Sequence, residues 1–231
     1  MRAFIGTSGW AYNWNKGGSL DWYVKNSGLN AIELNSSFYR FPFPNQINAW
    51  AKTGENLRWI IKVNQLITHK FKLDENSYVQ FSRFHKLFRP LDPVIDFYLF
   101  QLPPLISPNL IDRVGRFVSR FDLHGKFALE ARNTKWFTPE VYKKIKSLGI
   151  TMVSIDAPIG SFIMKTSRNV YIRMHGRKSW YDYAYSEKEL VSTAEAVRKL
   201  KPSRCYVMFN NDHSMLPNAR SVKKFLNQKR L

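Results

Sequence analysis

Eight short runs rich in β-branched and aromatic residues, each followed by a stretch with helical signals, set the tightest limit on how this chain can fold. The runs are Ala3–Gly6, Ala31–Asn35, Arg58–Val63, Phe97–Leu102, Phe127–Arg132, Thr151–Asp156, Val170–His175 and Cys205–Asn210. Between them, Tyr78, Phe81, Phe84, Leu87 and Phe88 fall on one helical stripe, as do Leu110, Val114, Phe117, Val118 and Phe121. Thr138-Pro139-Glu140 is a cap with proline at the first helical position, and Ser186 with Glu189 forms a capping box. Pro217 to Leu226 supplies a last helix. Strict strand–helix alternation predicts a parallel α/β sheet, and eight units predict closure into a single (β/α)₈ TIM barrel over residues 1–231. The sixth unit is the weak one, since Pro158 to Ser167 has little helical pattern. A doubly wound open sheet is the alternative, but the first turn lacks a Gly-rich dinucleotide fingerprint.

No stretch approaches the roughly 18 unbroken apolar residues of a membrane span. The opening Met1–Gly6 runs straight into a strand pattern without a signal-peptide core, so a cytoplasmic location is expected and a membrane partner is not. The lone Cys205 excludes a disulfide framework and reads as a buried strand residue. The formal net charge is +19, which attracts polyanions and makes nucleic acid or a phosphorylated small molecule the expected partner. The basic residues form no tail or single cluster, so a uniformly basic surface accounts for the charge equally well. The oligomeric state is not legible.

The ends of barrel strands face the active-site mouth, and here they are polar. The first run leads into Thr7, Ser8 and Trp10; the second carries Glu33 and Asn35, the third Lys62 and Asn64. Gln101 ends the fourth, Glu130 and Arg132 the fifth, and Asp156 the sixth. Arg173 and His175 end the seventh, and Asn210, Asn211 and Asp212 the eighth. The chain has only 17 acidic residues, so four at strand ends are poorly explained by surface solvation. Alternation puts Glu33 with Asn35, Lys62 with Asn64, Glu130 with Arg132 and Arg173 with His175 on common faces. If those faces point inward, two carboxylates and two cations meet at one level of the lumen. That arrangement is either a balanced buried charge network or a site with acid–base groups beside anion-binding cations.

His69, His175 and His213 with the nearby acids leave a divalent metal ion as a conceivable cofactor, although no ligand spacing such as H-x-x-x-H is present. Ser8 in Gly6-Thr7-Ser8-Gly9 misses the G-x-S-x-G nucleophile elbow by one position. Aromatics crowd the loops after the runs: Trp10, Tyr12 and Trp14, then Tyr39, Trp136, Trp180, Tyr181, Tyr183 and Tyr185. Such rings beside cations suit bases or sugars by stacking; Phe38 is read as part of the core.

Several segments, in order, resemble the YecE-like proteins, the domain-of-unknown-function 72 family. They include Gly6-Thr7-Ser8-Gly9-Trp10, Ile32-Glu33-Leu34-Asn35-Ser36-Ser37-Phe38-Tyr39-Arg40, Ile67-Thr68-His69 and Phe100-Gln101-Leu102-Pro103-Pro104. Ala128-Leu129-Glu130-Ala131-Arg132, Tyr171-Ile172-Arg173-Met174-His175-Gly176 and Phe209-Asn210-Asn211-Asp212 continue the match. The resemblance implies a TIM barrel and supplies no reaction. Ala131 stands where the family usually has an aromatic and Asn133 where it often has histidine, so no base is expected at position 133.

The leading functional expectation is a hydrolase acting on a phosphate-bearing substrate or a nucleic-acid phosphodiester. Glu130, Asp156, His175 and Glu33 are its candidate catalytic groups. Thr7, Ser8, Trp10, Asn35, Tyr39, Lys62, His69, Gln101, Arg132, Arg173, Asn210, Asn211 and Asp212 are its candidate substrate contacts. In this reading Glu130 or Asp156 serves as base, His175 as acid, and the Gly176-Arg177 turn holds phosphate. A non-catalytic nucleic-acid-binding barrel and a glycoside-processing enzyme are the alternatives.

Overall fold

The protein is described here from a computed structural model covering residues 1–227. Strands β1 (Arg2–Thr7), β2 (Ala31–Leu34), β3 (Arg58–Lys62), β4 (Ile95–Gln101) and β5 (Phe127–Glu130) match the first five runs to within a few residues. The sixth run is divided into β6 (Thr151–Met152) and β7 (Ser154–Ala157), followed by β8 (Gly160–Phe162), β9 (Asn169–Met174) and β10 (Arg204–Phe209). The helices are α1 (Leu20–Asn26), α2 (Pro44–Thr53), α3 (Glu75–Leu87), α4 (Ile111–Phe121), α5 (Pro139–Ser147), α6 (Glu187–Lys199) and α7 (Met215–Asn227). Their local causes are those the sequence announces. Thr138 Oγ1 caps α5 at Val141 N, Ser186 and Glu189 close the capping box of α6, and Ile111, Val114, Phe117 and Val118 bury one stripe of α4. Among the described residues no helix is long and apolar enough to cross a membrane.

The strands form two five-stranded sheets, ordered β1-β10-β9-β7-β8 and β2-β3-β4-β5-β6, rather than one ladder of eight. All pairings are parallel except β7 with β8. The two sheets meet at two seams. At one, the chain passes from β6 to β7 through Val153, whose N–H donates to the Leu129 carbonyl (2.8 Å). At the other, the side chain of Asn30 substitutes for a missing ladder: its Oδ1 accepts from Ile5 N (2.8 Å) and its Nδ2 donates to Ala3 O (3.0 Å). Gly6 is required beside this seam, because a Cβ there would lie 2.3 Å from the Ala31 carbonyl oxygen.

No helix follows β7. The antiparallel β8 turns back instead, and side chains fasten the segment after it to the strand run. Ser154 Oγ contacts both the N–H (3.0 Å) and carbonyl (3.2 Å) of Met164, and Thr166 Oγ1 accepts from Met152 N (2.8 Å). These local hydrogen bonds favour extended backbone over helix.

Core residues fall in two layers. The larger cluster packs helices on the outer sheet faces. The smaller one, drawn from both sheets, includes Phe4, Ile60, Phe97, Leu99, Ile155, Tyr171, Tyr206 and Met208. Phe4 stacks on Tyr206 (5.0 Å) and Phe97 on Tyr171 (5.6 Å), so the space between the sheets is filled by rings below the polar strand ends.

Candidate functional site

Above those rings the two sheets exchange charge. Arg173, on β9 and fully buried, places Nη2 2.6 Å from Glu33 Oε1 and Nε 2.9 Å from Glu33 Oε2, while its Nη1 is bonded to Glu130 Oε2. Glu33 also accepts from the hydroxyls of Ser8 (2.6 Å) and Tyr171, so four donors saturate it. Glu130 accepts from Arg132 Nε (2.6 Å) and faces His175 Nε2 (3.1 Å). On the other side of that ring, Asn210 Nδ2 lies 3.2 Å from His175 Nδ1. The amide donates there, and on the opposite side Glu130 stands closer to Nε2 than the Arg132 Nη2 donor does (3.4 Å), an arrangement that suits a neutral ring with its proton on Nε2, given to Glu130.

The electrostatics follow from burial and pairing. Burial alone would raise the Glu130 carboxyl, but the guanidiniums of Arg132 and Arg173, with His175, hold it well below the usual carboxylate range. His175 is driven down to about 3 by burial and by the same two arginines, against the pull of Glu130. Burial works against the Arg173 charge, yet Glu130 and Glu33 keep it firmly protonated. Glu130 therefore acts as a fixed anion and His175 as a neutral donor.

Lys62, on β3, is the exception. It is 5% exposed, and its Nζ sits 4.1 Å above the Phe38 ring without a hydrogen bond or ion pair among the described residues. Burial, then repulsion by Arg173, bring its ammonium down to about 7, with Glu130 and Glu33 only partly restoring it. His69 stands against the same Phe38 (ring centroids 5.0 Å) and is lowered by burial and by the charges of Lys62 and Arg132. Arg132 lies over the Trp180 ring (4.1 Å), and Trp180 and Tyr181 cover His175 at 5.4 and 5.8 Å.

Beside this charge set a cleft of about 300 Å³ is lined by Ser8, Trp10, Tyr12, Asn35 and Tyr39, among others. Tyr39 is exposed, Trp10 packs edge-on against Trp50 and Trp59, and Asn35 Oδ1 is enclosed without a partner. Asp212 adjoins the cleft closely enough to raise the Tyr12 phenol, which burial and Asp212 together push up to about 12. Gln101 pairs in register with Glu130 at the sheet end and is half-buried.

Thus Glu33, Ser8, Lys62, Glu130, Arg132, Arg173, His175 and Asn210 come together, with His69, Trp10, Asn35 and Tyr39 around them. Three expected residues do not join them. Asp156 points to the helix layer, since its strand neighbours Ile155 and Ala157 occupy the inner cluster. There it binds Arg177 (3.1 Å) and the Tyr185 hydroxyl (2.9 Å), and Arg177 continues to Glu189 on α6 (3.3 Å). The Gly176-Arg177 turn is accordingly committed to a structural ion pair; a Cβ on Gly176 would lie 2.5 Å from Ser179 O. Thr7 shares its hydroxyl between Gly9 O (2.7 Å) and Tyr23 OH (3.3 Å), and Asn211 binds Tyr183 O (2.7 Å) and Asn218 (2.8 Å). Tyr171, which the sequence reading omitted, was discoverable: it lies two residues before Arg173 and shares its face. Among the described residues no group of three His, Cys, Asp or Glu is arranged to hold a metal ion.

The family model described as "Protein of unknown function DUF72" matches residues 4–231. The chain is similar to the UPF0759 protein YecE of Escherichia coli O157:H7, with 25% identity over 67% of this chain and 59% of that protein. The match thus spans less than two thirds of the relative's length. A solved DUF72 family protein from Enterococcus faecalis V583 superposes with a TM-score of 0.84 at 21% identity, covering 99% of this chain and 96% of that one. D-psicose 3-epimerase from Clostridium cellulolyticum H10, solved with D-tagatose, shares the fold more distantly: TM-score 0.64, 13% identity, 98% of this chain and 97% of that one.

Proposed function

Because the chain belongs to the DUF72 family, which is of unknown function, we propose its activity from the site itself: a cytoplasmic, single-domain enzyme that takes a phosphate-bearing substrate at the strand ends. We take the two sheets as the wall of an eight-unit TIM barrel, a reading supported by the Asn30 and Val153 seams. One observation carries the function. Two carboxylates, Glu33 and Glu130, face three cationic side chains, Arg173, Arg132 and Lys62, and Lys62 is left without an anion. A desolvated, unpaired ammonium is costly, and an anionic ligand group would offset it. For phosphodiester hydrolysis the proton carrier is Lys62, because Glu130 is fixed as an anion and His175 has both ring nitrogens engaged. With Glu130 held as an anion and Glu33 taken up by Arg173, the pair offers no protonated acid of the kind a glycosidase needs.

The test is calorimetric titration with inorganic phosphate and with a short single-stranded oligonucleotide at several salt concentrations. Lys62→Met should weaken phosphate binding roughly tenfold or more, and a Lys143→Met/Lys146→Met change on the exposed face of α5 should not. Affinity should also decline above pH 7, as Lys62 loses its charge. Oligonucleotide binding that is equal in all variants and steeply salt-dependent would instead assign the affinity to surface charge and favour a non-catalytic nucleic-acid-binding protein.

A further inference from the structure

Of the polar groups between the sheets, Lys62 alone among the described residues has a reactive atom without a hydrogen-bond or ion-pair partner. Ser8 donates to Glu33 and accepts from Arg173 (3.3 Å), Tyr171 donates to Glu33, and His175 is held at both nitrogens. Lys62 Nζ has no hydrogen bond, yet it is not one of the fully enclosed atoms left without a partner, so it opens onto accessible space. Its four-carbon stem is buried and its head rests on Phe38, which fixes where the amine sits.

We propose that Lys62 is a covalent nucleophile toward carbonyl groups, and that the substrate of this site is a phosphorylated aldehyde or ketone. This rests on the phosphate reading above and adds the reacting bond. The lone pair of neutral Nζ attacks the carbonyl carbon while the C=O π pair moves to oxygen, and a proton passes from nitrogen to oxygen to give a carbinolamine. Loss of that hydroxyl with the remaining amine hydrogen leaves a C=N bond and one water, so amine plus carbonyl equals imine plus water. The imine, once protonated, draws electrons from the bond next to it, which is the purpose of such an adduct. A desolvated lysine beside other cations is the environment that keeps a neutral amine available near neutral pH. The groups facing it are Glu33 from β2, Glu130 and Arg132 from β5 and its following turn, Arg173 from β9 and His69 after β3. As an ammonium Lys62 draws the phosphorylated substrate in, and as a neutral amine it takes the carbonyl.

The experiment is reductive trapping with sodium cyanoborohydride, using dihydroxyacetone phosphate and, separately, dihydroxyacetone, with peptide mass mapping at pH 6 to 9. Wild-type phosphate affinity is measured in parallel. At pH 7 the phosphorylated probe should label Lys62 roughly tenfold or more above any other lysine, with labelling rising through about pH 7. Lys62→Arg should lose that label and no other. Labelling spread over surface lysines, with phosphate still bound, would overturn the nucleophile and leave the phosphate site standing. Equal Lys62 labelling by both probes with no phosphate affinity would keep the nucleophile and remove the phosphate.

Discussion

The two sheets bring opposite charge into the space between them. The β2–β6 sheet contributes both glutamates, Glu33 and Glu130, while the sheet built on β1, β10, β9 and β7 contributes Arg173 with the neutral donors Ser8, Tyr171 and His175. Arg173, which binds both acids, thus reaches them from the other sheet, while Arg132 holds Glu130 from the end of its own strand. The Arg173 pairing holds the two sheets together across the interior, where no backbone ladder runs. Two cations stand on the acidic side of this division: Arg132, just after β5 and bound to Glu130, and Lys62, which has no counterpart among the described residues. Structure accounts for the pairs, and in our proposal the chemistry falls to the residue that has none.

Removing the arginine breaks the comparison most severely. Arg173→Met strands two buried carboxylates and should cost about 3–5 kcal/mol in urea unfolding; a loss below about 1 kcal/mol would mean the sheets are held by apolar packing alone. Acid should come next. His175 stays neutral in the folded protein down to about pH 3 but binds a proton near pH 6.5 when unfolded, so its contribution falls away as pH drops below about 6.5. Glu130 titrates well below its unfolded value, so its contribution is full above about pH 4.3 and is lost on further acidification. Both terms have the same sign, and stability should decline by about 2–4 kcal/mol between pH 7 and 4, with His175→Asn flattening the upper part of that fall.

Lys62→Met sharpens the contrast in the opposite direction. A lysine charged when unfolded and half-neutral at about pH 7 when folded penalises folding fully below pH 7, and the penalty vanishes above about pH 10.4. The variant should gain about 1–3 kcal/mol at pH 6 and lose the rise in stability between those limits, while losing phosphate affinity. The smallest effect belongs to Asp156→Asn, near 1 kcal/mol, because Arg177 is about a third exposed and can turn to water. Phosphate binding should be untouched, since Asp156 lies outside the sheet interior.

The strand runs were legible because β-branched and aromatic residues cluster there, and the paired faces of Glu33, Lys62, Glu130 and Arg173 followed from alternation once one inward residue was assumed. The sixth unit was not, because Ser154 and Thr166 act through hydrogen bonds to Met164 and Met152 that no periodicity reveals. Asp156 went astray for a related reason. A carboxylate at a strand end reads as mouth-facing until the parity of its own strand is known, and only the burial of Ile155 and Ala157 fixes that parity. The division of labour at Arg177 and the solitude of Lys62 are likewise matters of who stands opposite, across separations such as the 140 residues between Glu33 and Arg173.

That separation has a consequence for how the chain is made. Synthesis delivers Glu33 first, Glu130 next and Arg173 only 140 residues after Glu33. Glu130 meets its first partner, Arg132, two residues on, but Glu33 has no cationic partner until β9 is made. The pairing that crosses from sheet to sheet is thus the most non-local contact of the interior and has to be the last of its ion pairs that synthesis makes possible.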